Sequence, residues 1–320
     1  MKTIWMYAGQ GSQREGMGRD LYEAYEEYRR VIDSLKLSFD VKKMMHEGKP
    51  EELSETRYTQ PCMAAFGAGV TAILRERGFS PDGVCGLSLG EYGALHAAGV
   101  LKADAYVKLV EFRGQAMEKA AGQLKERGNL CSMSAVLGLS EEKVKEACEE
   151  SGAGFVVPVN FNCPGQCVIC GDEPGVQEAE EKAREKGAKR CMRLKVGGPF
   201  HTKYMAEAGK ELEAYLQKVS FQAPQVPVAL NVTGKLYEHK TEDRDLTSLK
   251  ELLVRQIQSS VYFEKELRLF LEAGADTFVE IGPGNVLTGF VKKTAKAMGR
   301  TITAISLDKA EDIEKYLSDQ

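Results

Sequence analysis

The residues with the clearest chemical potential form a short run, Gly86-Leu87-Ser88-Leu89-Gly90. Gly-x-Ser-x-Gly places a serine on a sharp turn between a strand and a helix, with its hydroxyl projecting outward. Side chains at the flanking positions would crowd such a turn, which accounts for glycine there. A chain with 32 glycines can hold this pattern by chance, so the flanks decide. Val84-Cys85 closes an apolar run that reads as a strand, and Glu91 to Ala98 reads as a helix. That helix would aim its first amides at the place where an oxyanion forms. The chemistry predicted is acyl transfer through an acyl-serine.

A serine hydroxyl needs a base, and histidine is the usual one near neutral pH. There are four histidines. His46 and His239 sit in polar stretches that read as exposed. His96 lies eight residues beyond Ser88 on the same helix, more than two turns away. His201 follows Gly197-Gly198-Pro199-Phe200, at the junction of two differently patterned regions. Such junctions favour sites, so elimination selects His201 as the base. No Asp or Glu stands out as a third member, and a backbone or amide carbonyl could orient the imidazole instead.

The elements that must position these groups read as follows. Ile4–Tyr7 is a strand, Asp20–Leu35 a helix, and Pro61–Arg77 a second helix with small residues for close packing. A long helix over 103–121 carries Arg113 and Met117. Then come a strand over 130–137, a helix capped by Ser140, strands over 155–160 and 166–171, a helix from Pro174 to Gly187, and a strand over 191–196. This β-α-β-β-α-β order is the ferredoxin-like pattern. Helical sequence over 203–219, a strand over 226–231, helices over 249–259 and 263–273, a strand over 277–281, a further helix and a closing strand over 301–307 complete the chain. Strands alternating with helices imply a parallel sheet covered on both faces. Cys167-Val168-Ile169-Cys170 lies within a predicted strand, where residues three apart face opposite sides. We therefore read its thiols, like those of the other six cysteines, as free and not as a redox or metal motif.

The chain resembles malonyl-CoA:acyl carrier protein transacylases over nearly its whole length. The resemblance rests on motifs in order: Gly9-Gln10-Gly11-Ser12-Gln13, Gly86 to Tyr92, Arg113-Gly114-Gln115-Ala116-Met117, Asn160 to Gln166, Gly198-Pro199-Phe200-His201, Leu253-Val254-Arg255-Gln256, and Gly282 to Leu287. It implies that Ser88 carries a malonyl ester and that His201 takes the serine proton. It further implies that a carbonyl of Gln256 orients His201, that the amides of Gln10 and Leu89 form the oxyanion hole, and that Arg113 pairs with the free malonyl carboxylate. Phe200 would narrow the acyl pocket toward malonyl rather than methylmalonyl groups, Met117 would line it, and Asn160 and Asn162 would line the cleft from the small subdomain. Where the family usually carries His before the nucleophile, this chain has Leu87; Tyr7-Ala8 replaces a common Phe-Pro, and Phe263 a frequent Trp.

The implied fold is an α/β-hydrolase-like core, residues 1–127 and 198–320, with an inserted ferredoxin-like subdomain, residues 128–197. The implied activity is ping-pong transfer of malonyl from malonyl-CoA to the phosphopantetheine thiol of a holo acyl carrier protein, supplying fatty acid or polyketide synthesis. Neither a cofactor nor a metal is implied, and a monomer is. The alternatives are a serine hydrolase or thioesterase acting on acyl-CoA, and a non-catalytic carrier-binding module. Composition fits this frame: 320 residues, 43% hydrophobic and 28% charged, suit a large globular α/β chain. With a net charge of −4 and no basic stripe, nucleic acid is not an expected partner. No apolar run reaches the length of a signal peptide or membrane span, so a cytoplasmic location is expected. An acidic carrier would need a local basic patch, for which Lys189, Arg190 and Arg193 are candidates.

Overall fold

The computed structural model describes residues 2–194 and 197–319. Its first sheet grows from short apolar segments. The strand β1 (Thr3–Tyr7) is buried at every position after Thr3, as expected of a strand covered on both faces. β2 (Gly83–Gly86) leads into the serine turn. An antiparallel sheet follows, made of β3 (Cys131–Leu137), β4 (Val156–Cys163), β5 (Gln166–Asp172) and β6 (Arg190–Arg193). β7 (Ala229–Leu230) and β8 (Lys235–Leu236) form a minimal hairpin. β9 (Thr277–Ile281) and β10 (Thr303–Leu307) complete the first sheet.

That first sheet has the order β10-β9-β1-β2, and all its pairs are parallel. The carboxyl ends of β1, β2 and β9 therefore lie side by side. They release Ala8-Gly9-Gln10, Leu87-Ser88 and Gly282-Pro283 along one edge, the edge where open parallel sheets bind ligands. Two long helices, Thr56–Glu76 and Ala103–Glu126, pack against each other beneath this edge. Their closeness depends on small residues. A Cβ on Gly114 of the second helix would lie 2.8 Å from the Thr56 carbonyl oxygen of the first.

The antiparallel sheet has the order β4-β5-β3-β6. The helices Glu141–Glu149 and Glu173–Glu185 cover one face, burying Val136, Phe161, Cys167 and Ile169 with them. Met133, Ala135, Val168 and Cys170 belong to the main core instead. Cys167 and Cys170 thus face opposite sides, and all eight cysteines are free. The antiparallel sheet is tied to the segment that precedes the helix Phe263–Glu272, where the Phe161 amide donates to Val261 (2.8 Å) and the Val261 amide donates to Val159 (2.8 Å).

Several expectations need correction. The segment 20–35 is two helices, Arg19–Ala24 and Glu26–Ser34, broken at an extended Tyr25. Pro61 does not begin its helix. It sits inside Thr56–Glu76, where it has no amide to offer the Arg57 carbonyl, a local cost that the burial of this helix outweighs. The strand expected over 226–231 shrinks to β7, since Pro227 has no donor to give; its carbonyl accepts from Val84 (2.9 Å). Segment 203–219 opens with a short 3₁₀ turn, Lys203–Met205, before the helix Ala206–Leu216. β10 does not close the chain; the helix Ala310–Ser318 follows it. The short helices Val41–Glu47 and Pro50–Leu53 were not anticipated. Lys195 and Val196, read as part of a strand over 191–196, lie outside the described residues. His46 is half-buried rather than exposed.

Candidate active site

The turn after β2 is as tight as its glycines suggest. A Cβ on Gly86 would lie 2.1 Å from the Gly90 carbonyl carbon, and one on Gly90 would lie 2.0 Å from the Tyr7 oxygen. Both distances exclude any other residue without backbone movement. Between them, Ser88 has φ 55°, a left-handed conformation unfavourable to a residue with a side chain. His201 shares it, with φ 61°.

These two residues meet. Ser88 Oγ lies 2.8 Å from His201 Nε2. On the other side of the ring, Nδ1 lies 2.8 Å from the backbone oxygen of Gln256. A carbonyl only accepts, so Nδ1 carries the proton and Nε2 is left to accept from the serine hydroxyl. Burial, with help from the Arg113 charge, pushes the His201 imidazole down to about 4. The ring is therefore neutral near pH 7 and able to take a proton.

Arg113 comes from the middle of the helix Ala103–Glu126 and is 1% exposed. Its guanidinium donates to Gln60 Oε1 (2.7 Å), Gln256 Oε1 (2.9 Å) and Ser88 Oγ (3.2 Å). Its Nε has no partner among the described residues. It also lies over the Tyr92 ring, at 5.4 Å. A surface arginine would have none of these contacts.

Above this layer opens a cavity of ≈ 220 Å³. Gln10, Ser88, Leu89, Met117, Phe200 and His201 line it, and Asn160 and Asn162 face them from β4. Arg113 and Gln256 lie beneath the lining. Among the described residues, the amides of Gln10 and Leu89 have no acceptor. Asn162 Oδ1 is buried and also unpartnered. Leu87 adds an apolar wall. The arrangement offers a nucleophile bonded to a neutral base, free amides beside it, and a buried cation within reach. Those are the parts an acyl transfer needs.

Comparison with known proteins is decisive at this point. Residues 4–316 match the family model described as an acyl transferase domain. The chain belongs to the acyl transferase family. A malonyl CoA-acyl carrier protein transacylase of Bacillus subtilis is 37% identical over 98% of this chain and 95% of its own length. The crystal structure of MCAT from Streptococcus pneumoniae is 38% identical, covers 100% of both chains and superposes with a TM-score of 0.89. A malonyl-transacylase solved in complex with a type II PKS acyl-carrier protein is 32% identical, again over 100% of both chains, with a TM-score of 0.91.

Within this acyl transferase, four residues that the sequence reading missed hold the centre together. Gln60 grips Arg113. Asn231 accepts from the Ser88 amide (2.9 Å). Glu91 accepts from the Gln256 side chain (2.6 Å), and burial raises its carboxyl to about 7. Glu266 accepts from Asn231 (2.7 Å). Only Glu91 had a signal, its place directly after the elbow glycine. Lys189 and Arg190 are exposed, whereas Arg193 is engaged by Glu173 (3.1 Å) and Glu180 (2.7 Å). Among the described residues, no helix is long and apolar enough to cross a membrane.

Proposed function

We propose that this acyl transferase moves the malonyl group of malonyl-CoA to the phosphopantetheine thiol of a holo acyl carrier protein, as a monomeric, cytoplasmic enzyme of fatty acid or polyketide synthesis. The single observation that carries the reading is Ser88 Oγ set 2.8 Å from His201 Nε2 and 3.2 Å from Arg113. A base-activated nucleophile beside a buried cation suits an acyl group that ends in a carboxylate.

In the first half-reaction, Ser88 Oγ attacks the thioester carbonyl as His201 Nε2 takes its proton. The amides of Gln10 and Leu89 receive the oxyanion; one such donor is worth about 3–4 kcal/mol of barrier. Collapse expels the CoA sulfur, which leaves with the proton from His201. In the second half-reaction, His201 takes the carrier thiol's proton, the sulfur attacks the ester, and Ser88 recovers its proton. The Gln256 carbonyl keeps the ring in the required tautomer throughout. Arg113 holds the malonyl carboxylate, Met117 and Phe200 bound the acyl group, and Asn160 and Asn162 line the cleft from the small subdomain. No cofactor enters these steps.

The same reading describes the parallel sheet as an α/β-hydrolase-like core (1–127 and 198–320) and the antiparallel sheet as an inserted ferredoxin-like subdomain (128–197). The β-α-β-β-α-β element order of the latter supports that description. Incubation with malonyl-CoA should add one malonyl mass to Ser88, and holo carrier should then remove it as malonyl-carrier. Release of free malonate without labelled carrier would instead identify a hydrolase, and no mass shift a carrier-binding module.

A further inference from the structure

The left-handed backbone at Ser88 must be held by something, and the holder is buried on the side away from the cavity. Asn231, at 0% exposure, bridges the two successive peptides that lead into the nucleophile. Its Oδ1 accepts from the Ser88 amide (2.9 Å), and its Nδ2 donates to the Gly86 carbonyl (2.8 Å). An amide side chain supplies both the acceptor and the donor that these two contacts need. The amide is fixed in turn. Nδ2 also donates to Glu266 Oε1 (2.7 Å), which prevents the group from flipping.

Glu266 is buried at 0% exposure, and its Oε2 has no partner among the described residues. Burial, with the Glu91 carboxyl nearby, raises it well above the usual carboxylate range. Burial of this kind favours the neutral acid, and in either form Oε1 accepts from Asn231. Its part in the centre is that of an acceptor, which an amide could supply equally well.

We infer that Asn231, locked in orientation by Glu266, is a positioning residue that holds Ser88 in its reactive left-handed turn. The inference rests on the reading of Ser88 as the nucleophile and names what tunes it. Neither residue lines the cavity. Their loss should slow the serine without altering what the cavity recognises.

The test compares Asn231→Ala, Glu266→Met and Glu266→Gln with the parent. Two reactions are followed by rapid quench and intact mass: malonyl-CoA, and a fluorophosphonate probe that needs only a reactive serine. Rate and final amplitude are recorded separately. Asn231→Ala should reach full amplitude with both reagents but roughly ten- to a hundredfold more slowly, the scale of losing hydrogen bonds to a buried backbone. Glu266→Met should be slowed in the same way, and Glu266→Gln should recover a rate close to the parent's. A parent-like rate with reduced amplitude in Asn231→Ala would mean a folding defect alone and overturn the inference. Glu266→Gln as slow as Glu266→Met would overturn the role given to its acceptor oxygen. Should the parent take the fluorophosphonate but no malonyl, the proposed function fails, while the probe rates still decide the clamp.

Discussion

Replacing Arg113 by alanine should collapse the preference for malonyl over acetyl groups while leaving Ser88 reactive. The guanidinium is buried, and its Nε has no partner among the described residues. A malonyl carboxylate arriving in the cavity would find that charge already desolvated. Without Arg113, the carboxylate would be buried alone, and breaking such a pair costs about 3–5 kcal/mol. That corresponds to roughly two to four powers of ten in rate. The substitution has a second effect, because Gln60 Oε1 and Gln256 Oε1 each lose a donor. An unsatisfied buried acceptor costs about 1–3 kcal/mol, but it burdens acetyl and malonyl transfer alike. The ratio of the two acyl groups therefore isolates the carboxylate term. The assay offers equimolar malonyl-CoA and acetyl-CoA and reads the two ester masses on Ser88 at early times. An unchanged ratio, in protein whose serine still reacts with a fluorophosphonate, would refute the pairing of Arg113 with the carboxylate.

Other outcomes follow from the same geometry. His201 acts as a base only when neutral, and its imidazole is lowered to about 4, so kcat/KM should fall only as pH drops through that value; an acid limb near 6.5 would place the base elsewhere. Asn162→Leu should raise KM for malonyl-CoA and leave the fluorophosphonate rate unaltered, because the buried Oδ1 of Asn162 has no partner among the described residues; equal slowing of both reactions would contradict a binding role. Glu280 accepts from the amides of Leu287 and Thr288, and burial raises it from 4.5 to about 7. The folded state thus holds this proton more tightly than the unfolded chain, and its contribution to stability declines as pH rises from 4.5 through 7. Glu280→Gln should flatten the urea midpoint over that window, by at most about 3 kcal/mol; a parallel displaced curve would assign the titration to another group.

How much of this was legible in the sequence depended on how locally each feature is encoded. The elbow was legible because its Gly-x-Ser-x-Gly spacing is contiguous in sequence, although only Gly86 is required by contacts inside the run; Gly90 is required by the Tyr7 carbonyl of β1. The antiparallel sheet was legible because β5 alternates strictly, sending Cys167 and Ile169 to one core and Val168 and Cys170 to another. The break at Tyr25 was not, because the helical composition runs through it unchanged. What interrupts it is tertiary packing, with Tyr28 seated on Gly69 of a later helix. Asn231 gave no sign either. It acts 143 residues from Ser88, at the end of a segment that reads only as a strand and carries no sign of that partner. Gln60 was invisible for the same reason: nothing in its surroundings announces a partner 53 positions away.

The two reactive residues share a feature that no local signal explains. Ser88 and His201 both adopt left-handed backbone, at a cost of roughly 1–2 kcal/mol each, and besides the Asn231 clamp on Ser88 both are bonded to one stretch of chain. The His201 amide donates to Ile257, and its ring donates to Gln256. The Gln256 side chain donates to the Ser88 carbonyl (2.7 Å). A few residues on, Val261 pairs with β4, which carries Asn160 and Asn162 into the cleft. One segment therefore sets the base, steadies the nucleophile and registers the opposite wall of the cavity. Strain at a turn persists only where surrounding contacts over-determine it. Here those contacts arise from strands, helices and loops that meet only in the folded chain. The reactive geometry is thus a property of the assembled sheets, and the Gly-x-Ser-x-Gly run provides only the turn on which it can be built.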